Sequence, residues 1–496
     1  MPRRPLVLTA LAAAALIVGT VAPAAQASTS EPSTPVPITA PDGKIMSYVL
    51  NAKTANPGQM RLVERAVVAA GGVVVQSWPE IGVVVAHSVR SAFRADVVVA
   101  AGNALVSVGA TRSVPVIEGT PAGAQAPWGP GSSGWKADAK KKFNGDIEAP
   151  TTPADSADAR ESEQWDMKMI NADKAHAITD GSRNVLVGVL DSGIDPDHPD
   201  LVANIDVAAS INCSDAGRPD ASVDGWYPTT SDHGTHVAGT IAAARNGIGI
   251  VGVAPGVRVA SVKVVNDDGF IYPEYAVCGF VWAGLKHMDV TNNSYYVDPF
   301  EYWCGDQVDQ AAAKEAVRRA VEWSTSQGVV HAAAAGNSAV DLANKTVDTG
   351  SPDDGTAVAR TLNEGCEDIP AELPGVVTVS SVIKAGALSY FSNRGLGKID
   401  VAAPGSGILS TVVKDNGYGS KSGTSMASPH VAGVLALMKS VHPTWSPAQM
   451  IDKLREQAMS HACEPAQLNY GPVCVGTDTE NSYYGTGIVD ALAAVQ

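Results

Sequence analysis

Three side chains able to act as acid, base and nucleophile are spread widely along the sequence, each beside an apolar run. Asp191 follows VLVGVL in VLVGVLDSGIDPDHPDL, His233 begins HGTHVAGT, and Ser425 lies in GTSMASPHVAG. A serine hydroxyl activated by an imidazole, which a carboxylate orients, can attack a carbonyl carbon. Asn337 ends the run AAAAGN and could donate its side-chain amide to the resulting oxyanion. The set indicates acyl-transfer chemistry.

Each of these residues also has a plainer explanation when it is taken alone. An Asp at a strand end is common, Ser425 could be only a helix N-cap, and an Asn often closes a turn. His236, one turn after His233, could suggest a zinc pair, but the sequence lacks HExxH, so His236 is better explained as a structural residue. The four residues together outweigh these separate explanations.

The elements around these residues predict an α/β fold. Continuous apolar or small-residue runs cover 185–190, 257–264, 328–335 and 375–382, and helical runs alternate with them. Strands buried on both faces of a parallel sheet have this composition. Because open α/β sheets bind ligands at the carboxyl ends of their strands, the polar residues above fall where a site is expected.

The sequence before this sheet divides into a small domain and a linker. Residues 45–118 have the order β-α-β-β-α-β, which is typical of a small ferredoxin-like α+β domain. Residues 119–160 are rich in Pro, Gly, Ser, Ala and Asp, which predicts an exposed linker. Lys140-Lys141-Lys142 within it is either a solvated charge cluster or a cutting site. The larger α/β domain is predicted over 161–496.

Several features indicate a secreted, extracellular protein. Residues 1–27 have a basic start at Arg3 and Arg4, an apolar run and the cleavage signal Ala25-Gln26-Ala27, as in a secretory signal peptide. The six cysteines favour disulfides, with 15 connectivities open on counting alone. Lys plus Arg number 35 against 51 Asp plus Glu, a net charge of −16, which argues against nucleic-acid binding. No membrane association is expected after signal removal.

These motifs carry a family resemblance. DSGID-x-x-HPDL, HGTHVAGT and GTSMASPHVAG, with AAGN between the last two, closely resemble the motifs of the subtilisin-like serine endopeptidases, and the resemblance covers about residues 164–496. The chain order Asp, His, Ser is also that of subtilisin. The resemblance implies a secreted, self-processing endopeptidase. It implies a monomer that acts on protein or peptide substrates and needs no cofactor for its chemistry.

The resemblance also implies residue roles. It makes Asp191, His233 and Ser425 the catalytic triad and Asn337 an oxyanion donor, while residues 45–118 resemble the family's propeptide, an intramolecular inhibitor and folding aid. The substrate-binding residues that it implies are Ser294, Tyr295, Tyr296, Ala334, Ala335, Gly336 and Asp368. The two tyrosines replace Leu-Gly of the family pattern, so specificity is not carried over. Asp368 falls at the floor of the pocket for the residue before the cut, where a carboxylate would favour Arg or Lys; Glu367 and Asp368 could equally be solvated loop charges.

Two further expectations come from the same resemblance. Asp200, Asn246, Ile248 and Ile250 resemble a structural calcium site, with Glu161, Glu163 or Gln164 in place of the family's N-terminal Gln; an ordinary tight turn is the alternative. The implied disulfides are Cys213–Cys278, Cys304–Cys366 and Cys463–Cys474.

Two other functions remain as alternatives to the endopeptidase. One is a non-catalytic secreted binding protein on the same scaffold, against which the complete set of four site residues argues. The other is an esterase of the α/β-hydrolase type, which needs G-x-S-x-G, whereas Ser425 lies in Gly423-Thr424-Ser425-Met426-Ala427.

Overall fold

The computed structural model describes residues 1–2, 31–116, 157–463 and 473–496. Nearly all of the predicted signal peptide and most of the predicted linker therefore lie outside the described residues. The chain falls into a short unit, Met1–Glu31, and one large unit, Pro32–Gln496. All elements below belong to the large unit.

The first part of this unit is a four-stranded antiparallel sheet with two helices. Its elements are β1 (Met46–Ala52), α1 (Pro57–Ala69), β2 (Gly72–Trp78), β3 (Val83–Ser88), α2 (Phe93–Ala101) and β4 (Leu105–Ala110). The strands lie in the order β2-β3-β1-β4, and the succession β-α-β-β-α-β is the one predicted.

Both faces of this small sheet are covered, which explains its β-branched composition. On β3, Val84 and Ala86 pack with the apolar residues of α1 and α2, whereas Val83 and Val85 join the core that the large domain forms on the other side. Successive side chains of a strand point to opposite faces, so a strand between two apolar layers must be apolar throughout. The small domain is therefore built into the large one through its sheet.

The last strand of the small domain is shorter than predicted. The sequence suggests a strand over residues 106–116, but β4 ends at Ala110. Beyond it, Ser113 donates from its backbone nitrogen to Asp354 Oδ2 at 2.9 Å, and Arg112 pairs with Glu274. Long-range polar contacts thus draw this segment out of the sheet.

The large domain contains an eight-stranded sheet with helices on its two faces. Its helices are α3 (Trp165–Met169), α4 (Ala172–Ala175), α5 (His233–Ala242), α6 (Pro273–Leu285), α7 (Val308–Ser326), α8 (Thr424–Val441) and α9 (Pro447–Gln457). Its strands are β5 (Leu186–Asp191), β6 (Ile211–Asp215), β7 (Arg218–Asp220), β8 (Arg258–Lys263), β9 (Val290–Asn293), β10 (Trp303–Cys304), β11 (Val330–Ala334), β12 (Val347–Asp348), β13 (Arg360–Thr361), β14 (Cys366–Glu367), β15 (Val376–Val382), β16 (Val401–Pro404), β17 (Ile408–Val412) and β18 (Gly417–Lys421).

The order of the large sheet brings the predicted site residues to one edge. The strands run β16-β15-β11-β9-β5-β8-β6-β7, with all pairs parallel except β6–β7. Leu190 of β5 lies opposite Asn293 of β9, and Asn293 lies opposite Ala333 of β11. Because the strands are parallel, the residues that follow them emerge together at their carboxyl edge.

Helix α8 forms the centre of the core on one face of this sheet. Every residue from Thr424 to Met438 is buried, and the helix packs against β9, β11, β15 and β16. A helix that is apolar or small-residued on all sides belongs in a core. Its first turn, which carries Ser425, is thereby held at the carboxyl edge of the sheet.

Among the helices of the described residues, none combines the length and the apolar character that crossing a bilayer requires.

Candidate active site

Asp191 and His233 form a buried pair between a strand end and a helix start. The His233 Nδ1 lies 2.9 Å from Asp191 Oδ1 and 3.0 Å from Oδ2, so one N–H is shared by both carboxylate oxygens. Helix α5 can approach this closely because Gly234 has no side chain: a Cβ there would lie 3.1 Å from Asp191 Oδ1 and 2.4 Å from the Gly193 carbonyl oxygen. The imidazole is thus fixed in orientation and in tautomer.

Ser425 lies at the start of α8 and is tied to the segment after β9. Its Oγ donates to the Ser294 carbonyl oxygen at 3.3 Å, and the Ser294 hydroxyl donates to the Ser425 carbonyl oxygen at 2.9 Å. Pro429, four residues further on, has no N–H to offer that carbonyl, so the Ser294 hydroxyl supplies the missing donor. Two hydrogen bonds therefore join the start of α8 to the segment after β9.

Asn337 follows β11, and hydrogen bonds from Thr424 fix the orientation of its side-chain amide. The Asn337 Oδ1 accepts from the Thr424 backbone nitrogen at 2.8 Å and from the Thr424 hydroxyl at 2.9 Å. The Gly336 nitrogen donates to that hydroxyl at 3.2 Å, which fixes the hydroxyl hydrogen toward Asn337. With the carbonyl end held in this way, the amide nitrogen is the end left available as a donor.

A cavity of about 170 Å³ lies beside Ser425. It is lined by Ser294, Tyr295, Tyr296, Glu301, Ala334, Gly336, Asn337, Ser338, Asp368, Thr424 and Ser425. The cavity thus brings together most of the substrate-binding residues expected from the sequence. Ala335 is the exception: it is fully buried and packs in a separate apolar cluster with Tyr302, because alternate residues at the end of β11 face opposite ways.

Two carboxylates line this cavity. Asp368 is buried, and its Oδ1 has no hydrogen-bond partner. Burial, together with the nearby charges of Glu301 and Glu372, raises the pKa of Asp368 well above its ordinary value. Burial likewise raises the pKa of Glu301, whose Oε1 accepts from the Ser338 hydroxyl at 2.8 Å and from the Tyr302 hydroxyl at 3.1 Å.

Glu301 was missed by the reasoning from sequence. It lies in the segment between β9 and β10, and it reaches the cavity because β10 pairs with β14, which directly precedes Asp368. The available signal was an acidic residue three positions before Cys304, a cysteine that the resemblance pairs with Cys366 close to Asp368.

The residues of the expected calcium site lie together, but hydrogen-bond donors surround them. Asp200 Oδ1 accepts from Asn246 Nδ2 at 3.0 Å, and Oδ2 accepts from the Ile250 nitrogen at 3.1 Å and the Tyr418 hydroxyl at 2.9 Å. The Ile248 nitrogen donates to Asn246 Oδ1 at 3.0 Å. Within the described ranges, no group of three or more His, Cys, Asp or Glu side chains is arranged to hold a metal ion.

None of the three residues suggested as substitutes for the N-terminal Gln contacts Asp200. Gln164 exchanges two hydrogen bonds with the Val251 backbone, while Glu161 bonds Arg245 and Glu163 bonds Arg160. Asp158 reaches the loop instead. It accepts from the Asn246 nitrogen at 3.1 Å through Oδ1, and its buried Oδ2 has no partner. This orphaned oxygen is the feature of the loop that suits a cation.

The six cysteines form three disulfides in the structure. They join Cys213 to Cys278, Cys304 to Cys366 and Cys463 to Cys474, the same pairs that the family resemblance implies. The second links β10 to β14 beside the cavity, so it holds the strands that precede Asp368 and follow Glu301.

The fold and this site define a class of protein, the serine peptidases with an α/β parallel sheet. The comparisons with known proteins agree: the model of the Subtilase family matches residues 182–487. Subtilisin of Bacillus pumilus is 36% identical over 332 residues, which cover 67% of this chain and 98% of the relative. Subtilisin E of Bacillus subtilis (strain 168) is 36% identical over 333 residues, 67% of this chain and 71% of the relative.

Solved structures show the same fold. The epidermin leader peptide processing serine protease (EpiP) of Staphylococcus aureus has a TM-score of 0.65 at 21% identity, covering 91% of this chain and 98% of that one. Fervidolysin of Fervidobacterium pennivorans, a keratinolytic enzyme, has a TM-score of 0.61 at 23% identity, covering 92% and 62%. The chain belongs to the subtilase family and is a subtilisin-like serine endopeptidase that needs no cofactor for catalysis.

Proposed function

We propose that the chain is a secreted endopeptidase that cuts peptide bonds through Asp191, His233 and Ser425. Ser425 Oγ attacks the scissile carbonyl carbon while His233 takes the hydroxyl proton, and His233 then gives that proton to the leaving amine. Water hydrolyses the acyl-enzyme by the same route. The observation that carries the proposal is the buried Asp191 carboxylate, which holds the His233 Nδ1 with both oxygens. An imidazole so held keeps its other nitrogen for proton transfer.

Asn337 and the Ser425 backbone N–H are the proposed donors to the oxyanion. Support comes from Thr424, whose backbone and hydroxyl both hold the Asn337 carbonyl end. A donor fixed before the reaction stabilises the developing charge without reorganisation. The helix N-terminus at Ser425 adds a favourable dipole.

A fluorophosphonate reagent tests the nucleophile. Wild type should be labelled at Ser425, and Ser425→Ala should not be labelled. Ser422→Ala is a matched control, since Ser422 is an exposed serine three residues earlier whose hydroxyl only accepts from Gly407 N. Equal labelling of Ser425→Ala and Ser422→Ala would refute the assignment. Casein against a short acyl ester then separates peptidase from esterase activity.

The zymogen part of the proposal concerns the small domain. We propose residues 1–27 as signal peptide, 45–118 as a propeptide that inhibits the enzyme and assists its folding, 119–160 as linker and 161–496 as catalytic domain. Support comes from contacts with the large domain: Arg94 pairs with Asp309 at 2.7 Å, and the Arg319 guanidinium donates to the Ala52 carbonyl at 2.8 Å. Mass spectrometry of the exported wild type should find a new N-terminus within 119–163. Ser425→Ala should keep the propeptide attached if the enzyme processes itself.

Structural calcium is proposed for the loop of Asn246 with Asp200. The Asp200 carboxylate, the Asn246 side-chain oxygen and the carbonyls of Ile248 and Ile250 would hold the ion, and the orphaned Asp158 Oδ2 supplies a neighbouring negative charge. Thermal unfolding with millimolar CaCl₂ and with EDTA tests it. Calcium should raise the midpoint for wild type and not for Asp200→Asn; an equal midpoint in both conditions would remove calcium from the proposal.

A further inference from the structure

The carboxylates around the cavity beside Ser425 are unequally neutralised. Glu372, behind the cavity, is paired twice, with Lys345 at 2.8 Å and with Lys398 at 2.9 Å. Glu301 and Asp368 have no salt bridge among the described residues, although both line the cavity. Asp368 is buried and Glu301 is half-buried. Because a buried charge is normally paired, the Asp368 carboxylate in particular lacks a partner.

The cations that act on these two carboxylates from nearby are already paired with other acids. Arg360 forms a buried pair with Asp348. The Arg360 Nε donates to Asp348 Oδ2 at 2.8 Å. Lys345 and Lys398 are likewise engaged by Glu372, so Glu301 and Asp368 have no cation of their own among the described residues. A positive charge that enters the cavity would favour the ionised form of both carboxylates and pair with them.

Each of the two carboxylates that line the cavity has an oxygen that accepts no hydrogen bond from the described residues. Both donors to Glu301, the hydroxyls of Ser338 and Tyr302, bind its Oε1, so Oε2 carries no hydrogen bond from the described residues. Asp368 accepts no side-chain or backbone hydrogen bond there either, and its Oδ2 lies on the side of Gly336, 3.6 Å from where a Cβ of that glycine would be. Gly336 itself lines the cavity. Acceptors held in place and left open are suited to the N–H groups of a cation.

We propose that Glu301 and Asp368 together form a dicarboxylate pocket floor that selects an Arg or Lys side chain at the residue preceding the cut bond. This rests on the proposed function, in which Ser425 beside the cavity is the nucleophile. Glu301 is a specificity-determining residue in its own right: it supplies the second acceptor and the charge that makes an apolar side chain costly there. An apolar side chain would leave both carboxylates buried and unpaired.

The test uses the exported mature enzyme and four peptide nitroanilides that differ only in Arg, Lys, Leu or Phe before the cut. Wild type should prefer Arg and Lys. Glu301→Gln should lower kcat/KM for Arg and Lys by about ten- to a hundredfold, the range for a charge-assisted hydrogen bond, and leave Leu and Phe unchanged or improved. Asp368→Asn should act in the same direction. Unchanged cleavage of Leu and Phe also reports that the variant is folded.

Glu367→Gln is the matched control, because Glu367 precedes Asp368 but pairs with Lys314 at 3.0 Å and does not line the cavity. Benzamidine, a small amidinium, gives a second readout: it should inhibit wild type and Glu367→Gln alike and Glu301→Gln far more weakly. Equal cleavage of all four peptides, or the same profile for Glu301→Gln and Glu367→Gln, would overturn the inference.

Fluorophosphonate labelling separates this failure from that of the proposed function, since the reagent needs no side chain in the pocket. Normal labelling of Ser425 with no preference for Arg or Lys would overturn the dicarboxylate floor alone. Absence of labelling and of all cleavage in wild type would overturn the proposed function, and the pocket inference with it.

Discussion

The Arg112–Glu274 pair should dominate the attachment of the small domain. The two side chains are 7% and 0% exposed, and the Arg112 guanidinium carbon lies 3.8 Å from the centroid of the Tyr272 ring. Burial alone would raise the pKa of Glu274, but the Arg112 guanidinium holds it below its ordinary value. The carboxylate is therefore ionised in the complex and depends on Arg112 for its balance.

Arg112→Ala removes the cation of this pair and leaves the buried Glu274 carboxylate without its counter-charge, although the Ser47 hydroxyl still donates to it at 2.9 Å. Such a change costs about 3–5 kcal/mol, or about 150- to 5,000-fold in the dissociation constant. Arg94→Ala is the control: its pair with Asp309 has side chains 45% and 11% exposed, and pairs of this kind contribute about 0–1 kcal/mol.

Both substitutions are made in the full chain with Ser425→Ala, which prevents self-cutting. Trypsin nicks the predicted linker at Lys140 to Lys142, and the nicked protein is diluted and run on size-exclusion chromatography. The Arg112→Ala complex should separate at far higher concentration than the parent or Arg94→Ala. If all three separate at the same concentration, the buried pair does not hold the small domain in place.

Three further outcomes are expected. Asn337→Ala should lower kcat by about 10²–10³ with little change in KM, a magnitude borrowed from the loss of such a donor in subtilisin itself; a loss confined to KM in steady-state kinetics would contradict an oxyanion role. The pKa values of Glu301 and Asp368 are raised, so acidification should protonate these two carboxyl groups and weaken their attraction for Arg. The ratio of kcat/KM for the Arg peptide to that for the Leu peptide should therefore rise with pH. A ratio that stays constant from pH 5 to 9 would refute this role of the two carboxylates. Gly234→Ala should lower the free energy of unfolding in urea by about 1–3 kcal/mol and lower activity. Gly350→Ala is the control and should change neither, because a Cβ there meets nothing closer than 3.8 Å. Equal stabilities of the two variants would show that α5 can shift to accommodate the added methyl group.

Much of the architecture could be predicted because local composition determines it. The runs at 185–190 and 375–382 lie on β5 and β15, since strands buried on both faces admit few polar residues. The small-residue run HGTHVAGT favours a helix from about His233, and α5 begins at that residue. The motifs around the site residues are likewise contiguous and can be recognised along the chain.

What could not be predicted depends on distant segments meeting. Glu301 reaches the cavity through the pairing of β10 with β14, and the charge balance there depends on Lys345 and Lys398, which approach along separate loops. The end of β4 at Ala110 is set by contacts with the large domain rather than by its own sequence. Single-sequence periodicity contains no information on such pairings.

The strap formed by β10, β14 and their disulfide Cys304–Cys366 has a consequence for how this enzyme can change. It lies outside the eight-stranded sheet, yet it adjoins both pocket carboxylates. Asp191, His233 and Ser425 depend on the sheet and on α5 and α8 instead. Under the proposed roles, the groups that select the substrate and the groups that cut it belong to different elements. Substitutions in the strap should therefore change substrate preference more than they change the rate of the chemical step.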